Sequence, residues 1–111
     1  MSGPASLPMY DWAEVRWAVD RLWEFLRDEL RAGGIEAPQS LSRDGHFHAP
    51  WHDADLLISQ TCGFPFTHQF RDRLQLLATP CYSVAGCAGA DYSSAIIARR
   101  GDGRAILADP S

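Results

Sequence analysis

From Trp12 to Ala32 the apolar residues recur three and four positions apart. Val15, Val19, Leu22, Leu26 and Leu30 form a stripe that Trp12, Ala18 and Trp23 widen. That period predicts an amphipathic helix over about 12 to 32. Asp11 stands at the N-cap position with Glu14 three residues on, an Asp version of the capping box, and Gly33-Gly34 supplies the left-handed stop. Ahead of this helix, residues 5 to 10 form a short extended segment that Pro8 confines to a strand end or edge.

Beyond the helix, Ile35 to Pro38 predicts a short strand, and Gln39 to Asp55 is a polar loop with room for a short helix. Asp55-Leu-Leu-Ile-Ser59 is a compact apolar run with the look of a buried parallel strand. It leads into Phe64 to Phe70, a second helix with Pro65 in its first turn. Leu74 to Thr79 is a further apolar run, residues 81 to 91 form a loop, and Tyr92 to Arg99 reads as the last strand. The alternation of strands and helices predicts an α/β protein with a mainly parallel sheet and flanking helices.

Composition narrows the function classes. The 111 residues hold one domain, and 46% hydrophobic against 22% charged residues is enough to form a core rather than a disordered chain. Fourteen acidic residues outweigh ten basic ones, all of them Arg, for a net charge of -4. Such a balance argues against nucleic acid as a partner. No apolar run approaches the roughly 18 residues of a transmembrane segment. The first ten residues lack the pattern of a secretory signal, so the expected localisation is cytoplasmic for the chain as written and periplasmic if the gene is longer. Cys62, Cys81 and Cys87 are too few for a disulfide scaffold, and at least one of them is a free thiol or bonds externally.

The best candidate for chemistry is the turn Ser59-Gln60-Thr61-Cys62-Gly63, between a strand and a helix. Two hydroxyls, an amide and helix-terminal N–H groups can hold an oxyanion there, and plain N-capping by Ser59 or Thr61 is the competing explanation. Tyr10 and Asp11, ending the first extended segment, face the same edge, although the capping box accounts for Asp11 fully. His46, His48 and His52 with Asp53 and Asp55 have metal-ligating chemistry, but Pro50 interrupts the cluster and a solvated loop outweighs it, so no metal or other cofactor is expected. Cys62 beside a helix N-terminus is a conceivable nucleophile with His68 nearest in sequence; a small buried or paired cysteine is the plainer account. The aromatic set Trp12, Trp17, Trp23, Phe25, Phe64, Phe66 and Phe70 is assigned to the core.

Taken together, Ser6-Leu-Pro-Met-Tyr-Asp11, Asp55 to Phe66, Ala78-Thr-Pro80, Tyr82, Gly86-Cys87 and Tyr92-Ser-Ser94 resemble the substrate-binding proteins of phosphate, phosphite and phosphonate ABC transporters. This is the PhnD-like group of the type II periplasmic binding protein fold, and the similarity runs from about residue 5 to residue 100. The resemblance implies a clamp of two α/β lobes. Residues 1–100 would be a partial first lobe with a crossover strand near 92–99, and residues 101–111 a tail toward the second lobe. It places Tyr10, Ser59, Gln60, Thr61, Tyr92, Ser93 and Ser94 at the ligand, and Cys62 and Cys87 at paired positions able to form a disulfide.

The expected function is therefore the solute-binding component of an ABC-type uptake system, holding half of a cleft for phosphate, phosphonate or a related oxyanion. Its expected partners are that ligand and an ABC transporter permease, and no enzymatic activity is expected. Two rival expectations are a chain without ligand binding that acts through protein association, and an enzyme dependent on Cys62.

Overall fold

Helix α1 spans Arg16–Ala32 and is entered through a single 3-10 turn, Ala13–Val15. The computed structural model describes residues 3–46, 49–93 and 100–101. Asp11 does not cap the helix: Trp12 occupies the N-cap of the 3-10 turn, and no side chain bonds to the free backbone N–H groups at either cap. The C-terminal stop is as expected. Gly34 takes φ +85°, Gly34 N–H bonds to the Arg31 carbonyl, and Ile35 N–H reaches back to Leu30. This is a Schellman end, and it turns the chain back along the helix.

The buried face of α1 is Val19, Trp23, Leu26 and Leu30, with Trp23 1% exposed at its centre. Ala5, Leu7, Ala37 and Leu41 close over that indole, and Leu57 and Ile58 pack at the side. Two arginines of the helix tie the returning chain down. Arg31 donates to the Ala37 carbonyl at 2.8 and 3.2 Å, and Arg27 donates to the Gln39 carbonyl at 3.0 Å. Trp51, in the short 3-10 helix Ala49–His52, and Phe70 make a second buried contact, edge to face at 5.5 Å. Phe70 ends a π-helical turn, Phe66–Phe70, that continues from α2 (Gly63–Pro65).

The mainly parallel sheet predicted from the sequence is not formed. Among the described residues there is no strand, and pairing is limited to two isolated bridges. One is parallel, Ala5 with Ile58, where Ser6 N–H bonds to the Ile58 carbonyl and Leu57 N–H to the Pro4 carbonyl. On its other side Ala5 accepts from Ser42 N–H at 2.7 Å. The physical reason is in the flanking residues. A parallel ladder repeats every second residue, so the rungs on either side of Ser6 would need N–H groups at positions 4 and 8. Both are proline and have none. Gly3 permits the close approach at the start of this pairing, since a Cβ there would overlap the Asp55 carbonyl.

The chain divides into two compact units, Met1–Gln75 and Leu76–Ser111. The first holds everything described above. In the second, Ala88 and Asp91 exchange both backbone hydrogen bonds in an antiparallel bridge, and Ser93 Oγ donates to the Gly86 carbonyl at 3.0 Å. Residues 74–79 carry no strand, with Leu76 and Leu77 exposed. Most of the proposed crossover strand, residues 94–99, and the tail beyond 101 lie outside the described residues.

The core assignment of the aromatic residues also needs correction. Trp23 and Phe70 are buried, but Trp12, Trp17, Phe25 and Phe64 are exposed, and Trp51 is buried instead. Removing Trp23 should therefore be decisive and removing Leu22 nearly silent. Trp23→Ala is expected to cost about 3–5 kcal/mol, comparable with the whole stability of a small domain, and to abolish cooperative urea unfolding followed by circular dichroism. Leu22→Ala should shift the same curve by less than about 0.5 kcal/mol.

Candidate functional site

Where the segments at 6–8 and 42–46 end, they leave a cleft of about 210 Å³ lined by Ser6, Leu7, Asp11, Arg16, Arg43 and His46 among others. Its electrostatics centre on Asp11. Arg43 grips that carboxylate with two bonds, Nε to Oδ2 at 2.6 Å and Nη2 to Oδ1 at 3.1 Å. The same guanidinium reaches Asp20 on α1 at 2.8 Å, and Arg16 lies 3.9 Å from Asp11. These two cations and two carboxylates balance one another, and Asp44 on the cleft lining adds a further negative charge. Arg43 is committed to its fork, whereas Arg16 is half-exposed and loosely held.

The Asp11 carboxylate raises the Arg43 pKa above its ordinary value against partial burial, and Asp20 adds to the effect. A cation whose pKa rises on folding contributes stability below its unfolded pKa and loses it only as pH climbs through the folded one. Both lie far above neutrality for Arg, so this clamp holds throughout the physiological range.

Ser59 is joined to the cleft by a hydrogen bond. Its Oγ lies 2.7 Å from Ser6 Oγ, a buried residue of the cleft wall, and accepts from Trp51 Nε1 at 3.0 Å. Gln60 and Thr61 follow, half-buried, and Thr61 Oγ1 donates to the Cys62 carbonyl. Neither Ser59 nor Thr61 caps α2, whose N-cap is Cys62 with no side-chain cap bond. Tyr10 is exposed, its ring tilted against Trp12 at 5.9 Å. Tyr92 and Ser93 belong to the second unit, Tyr92 exposed and Ser93 bonded to Gly86, while Ser94 lies outside the described residues.

The remaining candidates have other engagements. Cys62 and Cys81 are exposed free thiols and Cys87 is a half-buried one, and Cys62 and Cys87, the pair named by the resemblance, belong to different units. His68 is held by the Phe64 carbonyl and Thr67 and stacks on Phe64 at 4.1 Å. His52 packs edge-on against Phe70 at 5.0 Å, and no group of three metal-ligating side chains converges among the described residues. His48 lies outside them. No helix among the described residues is long and apolar enough to cross a membrane.

Sequence reasoning missed Arg43, Arg16, Asp20 and Trp51. A signal for Arg43 was present in Arg43-Asp44-Gly45, a charged pair and a turn glycine within the predicted polar loop. No protein-family profile, curated protein or solved structure matches this chain.

The fork geometry makes Arg43 non-interchangeable with Lys. Arg43→Ala is expected to lower stability by about 1–2 kcal/mol in chemical denaturation, and Arg43→Lys to recover less than half of that loss. The difference between wild type and Arg43→Ala should shrink near 1 M NaCl, where screening acts within about 3 Å.

Proposed function

We propose that this cleft binds a small oxyanion, phosphate, phosphonate or a related species, and that the chain serves as the solute-binding component of an ABC-type uptake system. One observation carries the reading: the Ser6–Ser59 hydrogen bond ties the Ser59-Gln60-Thr61 turn to a cleft that contains a loosely held arginine. An anion entering the cleft competes with Asp11 for Arg16, and the Thr61 hydroxyl, which lies off the cleft lining and donates to the neighbouring Cys62 carbonyl, joins only by giving up that bond. The resemblance of the residue 55–66 segment to the phosphonate-binding group supports the same ligand class.

The strength follows from the same inventory. One guanidinium and the Thr61 hydroxyl, partly offset by Asp11 and Asp44, supply roughly 4 kcal/mol, a Kd of about 1 mM. Titrating the 15N-labelled chain with phosphate, phosphite or methylphosphonate should give saturable shifts of the Ser42, Gln60 and Thr61 amides in that range. Arg16→Ala and Thr61→Ala should each weaken binding about three- to tenfold. Failure of all three ligands to produce saturable shifts by about 10 mM overturns the proposal.

A further inference from the structure

Helix α1 has a second apolar stripe that nothing in its own unit covers. Ala18, Leu22 and Phe25, preceded by Val15 in the 3-10 turn, recur at alternating spacings of three and four, and the same positions continue through the charged Glu29 to Ala32. Leu22 is 43% exposed and Phe25 63%, although the helix that carries them is the most regular element of the chain. At 100° per residue this stripe lies about 160° round the helix from Arg16 and Asp20, the side that serves the cleft. A seven-residue repeat of this kind matches a helix packed at about 20° against another helix of the same kind.

We propose that two copies of the chain pair through this stripe, with their α1 helices antiparallel. Charge selects both the occupant and the direction. In an antiparallel pair centred between Leu22 and Phe25, Leu22 packs on the partner's Phe25 and Ala18 faces the partner's Glu29. Arg21 then borders the seam opposite the partner's Asp28, with the partner's Glu29 beside it, and symmetry repeats the contact at the other end. Arg21 is 78% exposed with Glu24 at 3.8 Å, and Asp28 is 65% exposed although its Oδ1 already accepts from Arg27 Nε at 2.9 Å, so the contact across the seam competes with one local ion pair on each side. A parallel pair instead sets Glu29 against the partner's Glu29 and Arg21 against the partner's Leu26, a like-charge contact at the seam and no ion pair.

A 17-residue helix is about 26 Å long, so one helix pair buries less than the roughly 1,200 Å² of a standard interface. The dimer is therefore concentration-dependent. Because the stripe and the cleft lie on opposite sides of α1, the inference stands apart from the oxyanion reading and neither outcome decides the other.

The test is sedimentation equilibrium of the full chain from about 10 µM to about 1 mM, the range in which a weak interface fills. A monomer–dimer equilibrium is expected. Phe25→Glu should raise its dissociation constant at least about tenfold with unchanged helicity. Arg21→Asp and Asp28→Arg should each weaken the dimer about threefold or more, and the double exchange should restore it. If Phe25→Glu fails to fold, the two charge variants, both at exposed positions, carry the test alone. A monomer throughout the range, a dimer indifferent to these changes, or a double exchange that does not restore association overturns the proposal.

Discussion

The burial of the Trp23 indole is the constraint on which the rest of the first unit depends. It is the single fully buried side chain of α1, and Ala5, Leu7, Ala37 and Leu41 are the residues that cover it. Small side chains at 5 and 37 let the backbone lie against the ring, and the arginines at 27 and 31 fix the carbonyls of the same cover. With the rotation of the helix set by Trp23, Arg16 and Asp20 are directed to one side, where Arg43 and Asp11 meet them. The cleft is thus a downstream effect of how one large ring is packed.

The helix was legible because its period is strong over some twenty residues, and its Gly-Gly stop because only glycine accepts the left-handed turn without cost. Its buried face was legible only in part. Counting apolar positions centres the stripe on Leu22, whereas the largest ring draws the core toward Trp23 and leaves Leu22 and Val15 outside. Area explains the shift, since an indole buries far more surface than an isobutyl group. The sheet was misread for a different reason. Pro4 and Pro8 were visible, but that the ladder would need donors at those two positions depends on register, which a strand acquires only from its neighbour.

At the site, the Ser59 turn was legible as the end of an apolar run. What Ser59 does there was not. Its hydroxyl is taken by Ser6 and Trp51, residues that sequence places fifty-three and eight positions away. Asp11 shows the same limit more sharply. The local pattern favours a cap, but a bidentate guanidinium thirty-two residues distant is a stronger partner than a solvated backbone N–H. Contacts of this range carry no periodic signature, so they emerge only once the helix and the returning segment have been set side by side.

The two prolines have a consequence beyond the missing sheet. An extended segment with open N–H groups on its flank is a template on which identical chains stack into fibrils. Here the rungs on both sides of Ser6 lack a donor, so the pairing with Ile58 cannot propagate along that flank of the segment. On that flank the segment around Ala5 is protected from growing by backbone templating, because the pairing it starts with Ile58 has no donor to continue it in either direction.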